Sequence, residues 1–313
     1  MILRRSFTLL LAAVLLSATW ASAFAQTLDF KYFDETGHNV QGEFLKFYNA
    51  NSNALILFGY PITEEFTKDG LTVQYFQRAR FELHAELPEG QRVTLTPLGT
   101  VTYSTSEPMN VSGNALTCQK FSTGFEVCYD FLEFFNKYGG VNQFGNPIST
   151  FEYRDNKIVQ YFERARFEWQ PGRPEAQRVV LSDLGRIYFD KLREEPALLS
   201  PVKPMDNSQS SILRLKAHAF VKKAVTLADD SQSIFIVVQD QNLRPVSNAS
   251  CNATITWPDK HSDLINIATN ENGIGIIPLT FTQQQQGNLV YANVSCTYKD
   301  LKTSTVTSFR IWY

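Results

Sequence analysis

Apolar residues recur with two different periods along this chain. Val40, Phe44, Phe47 and Tyr48 fall at i, i+4, i+7 and i+8, and Val127, Phe131, Phe134 and Phe135 repeat that spacing. Such spacing puts an apolar stripe on one face of a helix. Thr123 with Glu126 predicts a capping box at the second helix, and Thr36 holds the matching position in the first. Each helix is followed by Phe-Gly-x-Pro-Ile, where Gly and Pro mark a turn. A β-branched and aromatic run comes next, Val73-Gln74-Tyr75-Phe76 and Val159-Gln160-Tyr161-Phe162, which suits a strand. Arg78-Ala79 and Arg164-Ala165 are expected at hairpin tips, and a further strand leads to Leu98-Gly99 and Leu184-Gly185. From residue 212 the period becomes two. Ala249, Cys251, Ala253, Ile255 and Trp257 alternate with polar residues, as do Val290, Ala292, Val294, Cys296 and Tyr298. These read as half-buried strands, and residues 234–238 as a fully buried one.

The two helix-turn-strand blocks are copies, 86 residues apart from Phe58 and Phe144 to Gly99 and Gly185. A duplication that keeps register is a repeated structural unit. The expected fold is therefore a pair of small α+β modules packed together, residues 26–105 and 106–193. A Pro-containing linker, 194–211, joins them to an Ig-like β-sandwich, 212–313, with roughly seven short strands and an inter-sheet disulfide. Neither module of about 70 residues buries enough surface alone, so the two should pack on each other.

Residues 1–25 read as a signal peptide: Arg4 and Arg5, an apolar core over 7–16, and the small-x-small site Ala23-Phe24-Ala25. Arg4-Arg5-Ser6-Phe7 also fits a twin-arginine signal. No later apolar stretch has the length to span a bilayer, so no membrane association is expected after cleavage. In an exported chain, Cys118, Cys128, Cys251 and Cys296 read as disulfides. Three pairings are possible; the local pairing, Cys118–Cys128 and Cys251–Cys296, is expected, contributing about 3 and about 4 kcal/mol on the loop-entropy account. A net charge of −2 gives no argument for a nucleic-acid partner.

Phe-Gly-x-Pro-Ile-Thr followed by Gln-Tyr-Phe-x-Arg-Ala-Arg-Phe-Glu resembles, distantly, the LGFP repeat, with Arg80 and Arg166 standing in its glycine region. That resemblance covers about residues 33–190 and implies a secreted protein of the bacterial cell wall or envelope. Residues 237–249, with Thr269-Asn270-Glu271-Asn272-Gly273, resemble the bacterial Ig-like domains of the invasin and intimin type. In that family such domains act mainly as spacers and display stalks.

Arg78, Arg80, Arg164 and Arg166 are the sharpest binding candidates, because paired guanidiniums take carboxylate or phosphate bidentately. The alternative is a structural Arg-Glu pair pinning each hairpin. Trp169, where the first copy has Leu83, is a second binding candidate through stacking on sugar rings. Glu82 and Glu168 are a formal carboxylate pair, but one residue in two copies is poor material for a glycosidase. The histidines share no metal-ligand spacing, and no nucleophile-elbow, zincin or phosphate-loop motif is present. The expectation is an exported or surface-located protein, non-enzymatic and without cofactor, that binds cell-wall or extracellular polymer. A secreted hydrolase and a purely structural envelope protein are the alternatives.

Overall fold

The computed structural model describes residues 29–109, 111 and 116–312. The expected signal peptide over 1–25 lies outside them. Strand outweighs helix, 40% against 17%, so the chain is mostly β with several sheets. A hairpin of β1 (Phe30–Phe33) and β2 (His38–Gln41) enters helix α1 (Gly42–Ala50) and the short α2 (Ala54–Leu57). An antiparallel meander follows: β3 (Phe66–Lys68), β4 (Leu71–Tyr75), β5 (Arg80–Leu83) and β6 (Val93–Leu95), then α3 (Leu98–Thr102). After β7 (Glu107–Pro108) the series recurs. Hairpin β8 (Cys118–Lys120) and β9 (Glu126–Cys128) leads to α4 (Tyr129–Lys137) and α5 (Gly140–Phe144). The second meander is β10 (Glu152–Arg154), β11 (Lys157–Tyr161), β12 (Arg166–Trp169) and β13 (Val179–Leu181), and α6 (Leu184–Lys191) closes it. β7 pairs with β10 and makes the second sheet five-stranded.

The helices begin later than their apolar spacing predicts. Val40 and Val127 belong to β2 and β9, and Glu126 lies in β9 rather than capping α4. The Thr123 hydroxyl donates to the Pro147 carbonyl at 2.9 Å. Both strands turn into helix through a left-handed residue, Gly42 and Tyr129, each at φ +53°, so no helical turn extends upstream. The aromatic faces are placed as the spacing requires. Phe44 and Phe47 meet Phe81 edge-on at 5.8 and 5.0 Å, and Phe131 and Phe134 meet Phe167 at the same two distances. Each fully buried ring contributes roughly 1.5–3 kcal/mol.

The other face of each sheet is covered by the other unit. Phe189 of α6 packs edge-on against Tyr75 at 5.4 Å, while Tyr103, just after α3, packs on Tyr161 at 4.9 Å. The Thr100 amide donates to the Glu163 carbonyl at 3.0 Å, and the Arg186 amide to the Gln77 carbonyl at 3.2 Å. Every one of these positions has its partner 86 residues away, so the docking is reciprocal, as about a twofold axis. Gly99 and Gly185 sit at the closest approach. A Cβ on Gly99 would lie 1.7 Å from the Phe162 carbonyl oxygen, and one on Gly185 1.9 Å from that of Phe76.

The segment 194–211 is tied to the protein at several points. Glu194 is buried, taking Lys68 at 3.1 Å and the Tyr75 hydroxyl at 3.2 Å, and residues Pro196–Leu199 form a 3₁₀ turn. The Val202 amide donates to the Gly37 carbonyl at 2.8 Å, and the Ser211 amide to Asp34 at 2.6 Å. Gln241 and Asn242 carboxamides donate to the Asp34 carbonyl at 2.9 and 2.8 Å, seating the C-terminal region on the first hairpin. Between these ties residues 205–209 stay exposed to water.

That region holds two sheets. One is β14 (Lys216–Val221), β16 (Asp230–Gln239) and β19 (Ile274–Phe281). The other comprises β15 (Val225–Thr226), β17 (Ser250–Thr256), β18 (Ser262–Ala268), β20 (Leu289–Tyr298) and β21 (Leu301–Ile311). They share one core, in which Ile234, Ile236 and Val238 face Ala253, Ile255 and Val294. Phe235 and Val237 point outward, so β16 is buried on one face only. Both disulfides join the local partners. Cys251 and Cys296 oppose each other on β17 and β20 with Cα atoms 4.0 Å apart. The bridge therefore clamps neighbouring strands of one sheet and does not join the two sheets.

Candidate functional site

The duplicated Arg-Ala-Arg-Phe-Glu is engaged internally in both copies. Arg78 donates to the Leu55 and Ile56 carbonyls at 2.9 and 3.0 Å, closing the end of α2. Arg164 does the same for α5 through Val141, Asn142 and Gln143 carbonyls at 2.7–3.0 Å. Cationic donors satisfy the carbonyls that a helix C-terminus leaves open. Arg166 pairs with Glu168 at 2.8 Å and stacks over Tyr161; Arg80 pairs with Glu82 and stacks over Tyr75. Burial works to raise the Glu168 carboxyl, but hydrogen bonds from Lys157, Ser182 and Arg166 hold it below the ordinary carboxylate range. Arg80 and Arg166 lie within separate sheets, so the four arginines do not line one groove.

At the twofold, six residues of each unit, from Leu57 to Thr96 and from Gln143 to Ser182, enclose a cavity of about 20 Å³. That is room for roughly one water. Beside it a shallow groove of about 480 Å³ crosses the junction between Phe47, Asn51 and Phe58 on one side and Gln143 and Arg164 on the other. Ala50 and Asn51 leave this space open. The second copy has Lys137 and Tyr138 there, and Tyr138 lies 4.4 Å from Phe134.

The second unit carries a different pocket, about 370 Å³, lined by Tyr129, Phe131, Phe151, Ile158 and Trp169 and by Cys128, which is bridged to Cys118. The indole of Trp169 donates to Asp130 at 3.3 Å, which fixes the ring's orientation. In the first unit the corresponding positions are Gly42, Phe44, Glu65, Thr72 and Leu83, with Gln41 where Cys128 stands. Four of the five wall positions have thus changed toward a larger or more apolar side chain. Of these residues, Trp169 was legible as a candidate in the sequence. Tyr129, Phe151 and Ile158 were not, although comparing the copies position by position isolates them.

Tyr129 is the sharpest of the changes. It keeps the φ of +53° that glycine holds in the first copy, and it is 45% exposed. Left-handed backbone at a bulky residue costs about 1–3 kcal/mol and marks positions held for a purpose other than stability. Tyr129→Gly removes the strain and adds chain entropy to the unfolded state. Thermal unfolding is therefore expected to stay within about 1 kcal/mol of the parent, while any ligand of this pocket loses affinity. A large loss of stability would show that Tyr129 is there for the fold.

His38 is buried and meets Glu64 at 3.2 Å, and Glu64 also takes the Asn39 amide at 2.8 Å. Burial raises the Glu65 and Asp183 carboxyls. Glu82 and Glu168 each face their own arginine, in different sheets.

No family model and no curated protein matches the chain. Among solved structures it is similar over 33% of its length to a DUF4785 family protein from Legionella pneumophila, at 14% identity and a TM-score of 0.27, covering 29% of that chain. The CARDB domain of a Pyrococcus furiosus protein, solved with di-metal ions, matches 35% of this chain and 99% of its own, at 8% identity and a TM-score of 0.24. A conjugate transposon protein from Bacteroides vulgatus matches 35% of this chain and 92% of its own, at 8% identity and a TM-score of 0.23.

Proposed function

We propose that this is an exported, non-catalytic modular protein that holds cell-wall or other extracellular polymer. In this reading the paired α+β modules form the binding unit, and the C-terminal sandwich is a bacterial Ig-like spacer or adhesion module. The observation that carries it is the aromatic pocket of the second module. Three of its five wall positions are glycine or polar in the first copy, and one wall residue is held in a strained backbone conformation. Aromatic walls suit the apolar faces of sugar rings, and a largely preformed pocket is the usual form of a binding site. The likeness of the repeats to cell-wall repeats supports the same class of partner. Two disulfides fit an oxidising compartment, and no described helix is long and apolar enough to cross a membrane. Against the hydrolase alternative, Glu82 and Glu168 are each held in an Arg pair.

Retention of the mature chain on purified bacterial cell wall tests the reading, with Trp169→Leu as the key variant. Leucine is the residue of the first copy at this place, so the fold should tolerate it within about 1.5 kcal/mol. Parent retention with loss in the variant is expected. A parent that passes through unretained would leave the structural alternative, and release of soluble fragments from the wall would establish the hydrolase.

A further inference from the structure

We infer that the pocket of the second module takes a sugar ring bearing a carboxylate, and that Arg178 is the group that reads the acid. This rests on the polymer-binding reading above and adds the chemistry of the ligand. Arg178 lines the same pocket as the aromatic residues and is half-buried. Among the described residues its guanidinium makes no hydrogen bond and no ion pair. Its Nε is buried and unpartnered. The first copy again supplies the comparison. Arg92, at the equivalent position, donates its Nε to the Leu87 carbonyl at 3.0 Å. The residue equivalent to Leu87 is Arg173, and its carbonyl takes no such bond from Arg178.

A half-buried cation without a partner is unfavourable in an empty site and favourable once an anion arrives, because charge-assisted bonds strengthen where water is excluded. A ligand must therefore present two things together: apolar ring faces for Trp169 and Tyr129, and an acidic oxygen for Arg178. A carboxylated pyranose has both. Asp130 completes the set. It already accepts from the Trp169 indole and retains acceptor capacity for a ring hydroxyl. A neutral sugar would use the aromatic wall and leave the guanidinium unpaired. A simple anion would use the guanidinium and leave the wall bare.

The test is titration of the mature full chain with three defined glycans: oligogalacturonate, peptide-free glycan strands containing N-acetylmuramic acid, and cello-oligosaccharide as the neutral control. At least one carboxylated glycan is expected to bind about tenfold or more tightly than the control, and Arg178→Gln to remove that margin. Arg178→Lys should restore part of it, and added salt should weaken the parent's margin but not the variant's residual binding. Which acidic glycan wins separates a muramyl polymer from a polyuronate. Equal binding of acidic and neutral glycans, unchanged by Arg178→Gln, overturns the inference and leaves the polymer-binding reading standing. Wall retention that survives Trp169→Leu overturns the inference by placing the contact elsewhere. A chain that neither binds these glycans nor is held by wall overturns both.

Discussion

Gly185→Ala is expected to lower the melting temperature by about 6–12 °C. The added methyl would lie 1.9 Å from the Phe76 carbonyl oxygen and 2.7 Å from that of Ala79. Both obstacles are backbone, in a hairpin tip that Arg78 fastens to α2, so neither can swing aside. Relief requires the two modules to move apart, exposing the Tyr75–Phe189 contact and breaking the Arg186–Gln77 backbone bond. Overpacking of this kind costs about 3 kcal/mol or more, and a chain of this size loses roughly 2–4 °C per kcal/mol. Gly99→Ala should do the same through the Phe162 carbonyl, and because both strain one interface their effects should not add. Gly172→Ala is the control, since nothing lies within 4 Å of its added carbon. Equal melting temperatures for Gly185→Ala and Gly172→Ala would refute the reciprocal docking.

Much of this architecture was readable before any coordinates. The aromatic spacing of Phe44, Phe47 and Tyr48, the tip at Arg78-Ala79 and the local disulfides all follow from short-range rules of period, turn and compartment. What was not readable depends on long-range geometry. Helix starts were misplaced because Val40 and Val127 extend the apolar period through a strand; only the left-handed turn at Gly42 and Tyr129 ends it. The disulfide of the sandwich was expected between sheets because inward-pointing cysteines look alike whether their strands are neighbours or face each other. Glu194 reads as a solvated charge in any window of the sequence, and its partners Lys68 and Tyr75 lie more than 100 residues away.

Duplication separates the two kinds of residue in the candidate site. Most positions kept in both copies, such as Arg78 and Arg164 or Gly99 and Gly185, have partners inside the protein; Arg178 is the exception, lacking the bond that Arg92 makes in the first copy. Positions that differ have been released from that duty in one copy. Gly42 against Tyr129 and Glu65 against Phe151 are of this second kind, and both converge on one pocket. The sequence motif that repeats most faithfully is therefore the least informative about ligands.

Arg166→Gln should accordingly destabilise the fold strongly without touching the pocket's chemistry. Arg166 and Glu168 are 11% and 7% exposed, and the guanidinium also bonds Ser182 and the Tyr161 hydroxyl at 2.5 and 3.1 Å. Removing one member of a buried pair leaves the other without its counter-charge, a loss of about 3–5 kcal/mol. Lys157, 2.6 Å from Glu168, keeps the effect near the lower end. The pH dependence carries the sign. Because the folded-state pKa of Glu168 is depressed, its stabilisation is present above the ordinary carboxylate pKa and is lost as pH falls through the depressed one. The parent should therefore lose this contribution only below about pH 4. Arg166→Gln removes one of the groups holding that pKa down, so its acid unfolding should begin at higher pH. Wall retention, measured well below the variant's melting temperature, should match the parent. An Arg166→Gln protein as stable as the parent but unable to bind wall would return the duplicated arginines to the site and remove them from the fold.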